Sequence, residues 1–245
     1  MNNNRCIGIL LLLLFFSKIY SQTECTNESW LQETKKRYSG EISIADDISD
    51  YIKYDYSNAL IGRKNFNIGF IGVSKKRLEI EFLSSVKNTR NENKYFISGQ
   101  TTVANNLRSF HGIISIDTVY INSRIKYGIE DGMTDSIVKQ GFIIGRYEFY
   151  ENKNETSTGF FEGIFFNMWF LDTNGIIRFD GLEDFSDSYC NNLFKGTWTS
   201  YKTEKTVPCN WGQYRIPCSG DLDIGTAEFM PNPKYKNVGW DKYLP

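Results

Sequence analysis

An aromatic or apolar residue, one or two further residues, a glycine, and then an alternating run: this pattern recurs along the chain and limits what it can fold into. It reads YSGEISI (38–44), FISGQTTV (96–103), FHGIISIDTVYI (110–121), FIIGRYEFY (142–150), FFEGIFFNMWFL (160–171) and FKGTWTSY (194–201). Period-two alternation of β-branched and aromatic residues is the signature of a half-buried strand. A glycine near the start of such a run marks a bulge, a tight bend or a close approach of two backbones. RLEIEF (77–82), IIRFD (176–180) and LDIGTAEF (222–229) add further predicted strands. Their connections are short, and Asn174-Gly175 suits the left-handed geometry of a tight hairpin.

These elements predict an all-β chain: an antiparallel meander forming an up-and-down β-barrel or strongly curled sheet. Closure removes the unpaired edges that an open sheet would leave. Aromatic residues make up 16% of the sequence, enough to fill such an interior. Most strands show one apolar face, as Leu78, Ile80 and Phe82 do, but 160–171 has two. Ile164, Phe166, Met168 and Phe170 lie on one side, and Phe165, Trp169 and Leu171 on the other, around Asn167. Both sides need cover, and cover by the chain's own helix or tail is the simpler expectation. The one predicted helix is TNESWLQETKKRY (26–38), capped by Thr26 or Asn27, with Trp30, Leu31 and Thr34 on one face. Its expected place is over an open end of the barrel. Residues 127–141 lack periodicity and read as a long loop.

The first 22 residues combine Arg5, an apolar run from Cys6 to Phe16 and a polar flank, the grammar of a signal peptide cleaved near Ser21 or Gln22. A membrane span needs about 20 apolar residues, more than this run offers. Residues 23–245 then read as a single β-rich domain, secreted or held at a periplasmic or extracellular surface, with no transmembrane segment. Loss of Arg5 and Lys18 leaves 26 basic residues against 29 acidic ones, which invites no nucleic acid. Four cysteines remain: Cys25, Cys190, Cys209 and Cys218. In an exported chain they suggest two disulfides, with Cys209–Cys218 and Cys25–Cys190 the preferred pairing among three. His111 is the sole histidine and no CxxC occurs, so neither a metal site nor a cofactor is expected.

No GxSxG elbow or phosphate-binding glycine loop is present. The densest polar and aromatic stretch is CNWGQYRIPCSGDLDIG (209–225), and it supplies the candidate ligand-binding residues Trp211, Tyr214, Arg215, Asp221 and Asp223. On a strand Asp221 and Asp223 point the same way, a pairing that suits acid–base work on a glycan or cation binding. Arg215 is the rival partner, which turns the same residues into a salt-bridged corner. GTW at 196–198 resembles the Gly-x-Trp of lipocalin and avidin barrels. There it marks an early strand and here a late one, so the resemblance covers the general plan and transfers no ligand residue. The expected function is therefore a secreted, non-enzymatic binding module for a small molecule, glycan or protein. A glycan-acting hydrolase using Asp221 and Asp223, and a structural cell-envelope protein, are the other two readings.

Overall fold

Alternating strands joined by short turns pair with their neighbours in sequence, and here the pairing runs until the sheet meets itself. The computed structural model describes residues 25–37, 42–44, 48–64, 67–126 and 136–243; the expected leader lies outside them. Its strands are β1 (Ile42–Ile44), β2 (Asn67–Ile71), β3 (Lys76–Lys87), β4 (Lys94–Val103), β5 (Asn106–Asn122), β6 (Ile137–Glu151), β7 (Gly159–Asp172), β8 (Ile177–Phe179), β9 (Asn191–Ser200) and β10 (Thr206–Gln213). Strands β2 to β7, β9 and β10 form an antiparallel ring. The ring shuts where Cys209–Gln213 of β10 pair with Asn67–Ile71 of β2. This is the expected up-and-down barrel. Short β1 and β8 extend it at one end, beside β5 and β7. The glycine signal also has its explanation there: Gly163 and Gly196 face each other across β7 and β9, and a Cβ on Gly163 would lie 2.7 Å from the Gly196 Cα.

The interior is filled rather than hollow over most of its length. Phe194 and Trp211 stack with centroids 4.9 Å apart, and Tyr147 meets Trp211 edge-on at 5.2 Å. Phe82, Phe110, Phe149 and Phe161 complete the layer. Such aromatic pairs add about 0.5–1.5 kcal/mol each beyond their burial.

Two helical turns that the sequence pattern did not reveal, α2 (Ser49–Ile52) and α3 (Ser57–Ile61), plug one end. Tyr56 is fully buried and meets Trp169 edge-on at 5.6 Å. Side chains from the barrel wall satisfy the plug's carbonyls, which a short helix leaves orphaned. Lys87 donates to the carbonyls of Ile52, Lys53 and Tyr54. Asn167 donates to Ala59 at 3.0 Å, Asn192 to Leu60 at 3.2 Å and Gln213 to Arg63 at 2.9 Å. Gly62 turns the chain here at φ 66°, ψ −150°, a region open to glycine almost alone.

The helix predicted near 26–38 is α1 (Asn27–Arg37), capped by the Thr26 hydroxyl, which accepts from the Ser29 amide at 3.1 Å. It does not close the barrel end. Trp30 and Leu31 instead lie on the outside against Tyr120, Phe142, Ile144, Phe166 and Leu193. The outer face of β7 is thus covered by the chain itself, while Phe165 and Trp169 are fully buried inside. A third cluster docks the C-terminal extension onto β2 through Trp240, Leu222, Ile216, Ile68 and Phe70.

Four expectations need correction. The disulfide joins Cys25 to Cys218, and Cys190 and Cys209 are buried thiols outside any disulfide. Cys209 cannot reach Cys218 because it points into the barrel, whereas Cys218 sits against the outer cluster. Cys209 belongs to β10, not to a loop closed by the expected Cys209–Cys218 bridge. Residues 222–229 form no strand beyond a single bridge of Asp223 to Pro231, since Gly220–Leu222 is a 3₁₀ turn. Finally, 137–141 of the expected loop is the start of β6, with 127–135 outside the described residues.

Candidate functional site

The five residues proposed from the sequence do not converge. Trp211 is fully buried in the aromatic layer. Tyr214 stands outside the barrel, donating to Asp184 at 3.0 Å and accepting from Arg63 at 3.2 Å. Arg215 pairs with Asp223 at 2.7 Å and donates to the carbonyls of Gly225, Thr226 and Ala227. Asp223 also accepts from the Gly225 and Met230 amides, so the pair shapes the 223–230 loop. Asp221 is held by Lys234, by Lys75 at 2.7 Å and by the Tyr235 hydroxyl at 2.8 Å. Lys234, Lys75 and Tyr235 keep its carboxyl well below the ordinary carboxylate range. Each carboxylate therefore has its own structural partners, and the two share none. The geometry is that of the salt-bridged corner.

A different site is present at the barrel end opposite the plug. Four turns ring this mouth: 72–75, 104–105, 152–158 and 201–205. Ala104 and Asn105 both adopt positive φ, as a two-residue hairpin of the twisted type demands. Between the turns lies a cavity of about 360 Å³. Ile71, Val103, Phe161, Trp198 and Val207 form its apolar walls, with Lys76 and Arg108 also lining it.

Glu151 lines this cavity with only 5% of its surface exposed. Along β6 the inward positions run Tyr147, Phe149, Glu151, so strand parity places a carboxylate where an apolar residue would ordinarily sit. Its Oε1 accepts from the Thr101 hydroxyl at 3.1 Å. Its Oε2 accepts from the Gly159 amide at 2.8 Å and the Trp198 indole at 3.1 Å. Burial pushes its pKa up from the ordinary value, and these three donors oppose that shift. The predicted strand FIIGRYEFY ends at Tyr150, one residue short of Glu151. The available signal was the inward register of FIIGRYEFYE, carried one residue further.

A second buried carboxylate, Asp180, lies in a groove of about 520 Å³ on the flank of the barrel, with Gln140 and Tyr189. Gln140 donates to it at 2.6 Å and the Leu182 amide at 3.2 Å, and burial pushes its pKa up to about 6. Among the described residues no three His, Cys, Asp or Glu side chains gather as metal ligands would, and no helix is long and apolar enough to cross a membrane.

Fold and cavity together define a class, a plugged antiparallel barrel with one open, partly apolar mouth. No protein-family model, curated protein or solved structure matches this chain.

Proposed function

We propose that this chain is a non-enzymatic binding module, exported and oxidised, that takes a small ligand in the open mouth of its barrel. The observation that carries the reading is the mouth cavity: apolar walls, the deeply buried Glu151 with Thr101 beside it, and a size of about 360 Å³ that lies within the usual range for ligand sites. Export is supported by the leader-like residues 1–22 and by the Cys25–Cys218 disulfide, a bond at home in oxidising compartments. The mature chain acts as one domain in this reading, because the plug, the outer helix and the C-terminal extension all dock on one ring.

The test is a thermal-shift panel of metals, glycans, lipids and small amphiphiles against the oxidised protein and a Val207→Trp variant. Val207 lines the mouth, and an indole there fills it. A ligand at a hundred times its Kd stabilises the native state by about 2.7 kcal/mol. A mouth ligand raises the midpoint of the parent protein and leaves Val207→Trp unmoved. Equal shifts in both proteins would place binding elsewhere, and a flat panel would remove the reading.

A further inference from the structure

Glu151 is a buried carboxylate with three neutral donors and, among the described residues, no ion-paired cation, although the Arg108 charge nearby favours its ionised form. Among the described residues no lysine or arginine lies within ion-pairing distance of it. Arg108, on the same cavity wall, spends its guanidinium on the carbonyls of Thr156 (3.2 and 2.8 Å) and Leu107 (2.7 Å), and faces Glu155 at 3.5 Å. An ionised carboxylate accepts at about four lone-pair positions, and the donors occupy three, leaving room on Oε1. Two of those donors, the Gly159 amide and the Trp198 indole, can only donate, and both meet Oε2, so Oε1 has the Thr101 hydroxyl alone. A buried charge without a counter-ion is costly, and a ligand that supplies the opposite charge gains what the fold leaves unmet.

Resting on the mouth being a ligand site, we infer that it selects small amphipathic amines. One ammonium nitrogen meets Glu151, and the apolar body lies against Phe161, Val103, Ile71 and Val207. The donors that fix Glu151 are in place before the ligand arrives, so little reorganisation opposes binding. A fatty acid fits poorly either way round. Carboxylate inward, it meets Glu151 as a like charge; carboxylate outward, its tail seals Glu151 against hydrocarbon. Lys76 and Arg108 in the same cavity disfavour a second positive charge on the ligand, which sets monoamines apart from polyamines.

Three probes of equal shape separate these terms: 3-phenylpropylamine, 3-phenylpropan-1-ol and 3-phenylpropanoate, titrated by calorimetry into the oxidised protein at neutral pH. Glu151→Gln is the matching variant. Its carboxamide oxygen can keep both bonds at the Oε2 position, and its NH₂ can donate to Thr101, whose hydroxyl turns acceptor. The amine is expected to bind at least about tenfold tighter than the alcohol, the propanoate weakest, because a hydrogen bond to a charged group contributes about 1.5–3 kcal/mol. Glu151→Gln should remove that advantage and leave the alcohol within about twofold. Alcohol or propanoate binding as tightly as the amine, or amine affinity unchanged in Glu151→Gln, overturns the charge inference while the mouth stands. Amine binding retained in Val207→Trp, or no binding of any probe, removes the mouth reading with it. Should Glu151→Gln fail to fold, the three probes on the parent protein decide alone.

Discussion

Asp180 and Asp221 carry the same side chain under opposite pressures. Burial of Asp180 disfavours its charge and pushes its pKa up to about 6, although Gln140 and the Leu182 amide pull it back; nearby Glu183 raises it further and Lys126 lowers it. Lys234, Lys75 and Tyr235 favour the charge on Asp221 and hold it well below the ordinary range. The signs then follow. The folded state binds the Asp180 proton more tightly than the unfolded chain does, so that contribution to stability is full below pH 3.8 and is lost as pH rises to about 6. It amounts to roughly 3 kcal/mol by linkage. Asp221 acts the other way: its contribution is full above pH 3.8 and is lost as pH falls below that value. Carboxyl-carbon NMR should find Asp180 titrating near pH 6 and Asp221 still ionised well below pH 3.8. An Asp180 titration at the ordinary carboxylate value would show that its burial is not sustained in solution. At this scale the sequence was readable in parity but not in depth. Trp211 attracted attention as an aromatic among polar residues, yet Cys209, Trp211 and Gln213 alternate inward and are buried. Nothing local separates a tryptophan that stacks on a ligand from one that stacks on Phe194.

Among the elements, the plug was the least legible and the barrel strands the most. Strands β3 to β7 and β9 each carry enough alternation to declare themselves, and their turns carry the residues that turns require. Asp172 illustrates this: its carboxylate accepts from the Asn174 and Ile176 amides at 2.9 Å each and forms the expected hairpin around Gly175. Helices α2 and α3 are four and five residues long, too short to show a 3.6-residue period or to be stable alone. They exist because Lys87, Asn167, Asn192 and Gln213, remote in sequence, meet their carbonyls. Strand β10 was masked by Pro208 and Gly212, which interrupt the alternation. Gly62 is the sharpest test of the plug. Its backbone conformation is closed to other residues, and an added Cβ would lie 2.2 Å from the Asn192 amide nitrogen and 2.6 Å from that of Gln213. Gly62→Ala should therefore destabilise by about 2–4 kcal/mol in denaturant unfolding, with protection from hydrogen exchange lost first at Tyr56–Leu60. A loss below about 0.5 kcal/mol would mean that the barrel does not depend on its plug.

For the molecule as a whole, one covalent tie and one seam join early chain to late chain. The Cys25–Cys218 bond spans 193 residues, linking the approach to α1 with the segment after β10. A loop of that length restricts the unfolded chain by about 5 kcal/mol in the chain-entropy picture, and native disulfides usually contribute about 2–5. Cys218→Ser is expected to cost a value in that range by chemical denaturation. Hydrogen exchange in α1 should quicken too, since the helix is then held only by non-covalent contacts such as those of Trp30 and Leu31 and the Lys195–Asn27 hydrogen bond. The cysteine pattern gave the presence of a bridge but not its partners, because pairing depends on which side of the barrel wall each thiol faces. The seam between β2 and β10 is the second junction. A ribosome delivers β2 early, and its free edge can find no partner until residues 209–213 have emerged, with all of 72–208 made in between. Throughout that interval the nascent sheet is an unfinished ribbon with two open margins. A product truncated after Ser200 keeps seven strands of the ring and both margins indefinitely. For this chain, completeness of synthesis and protection from self-association are one event.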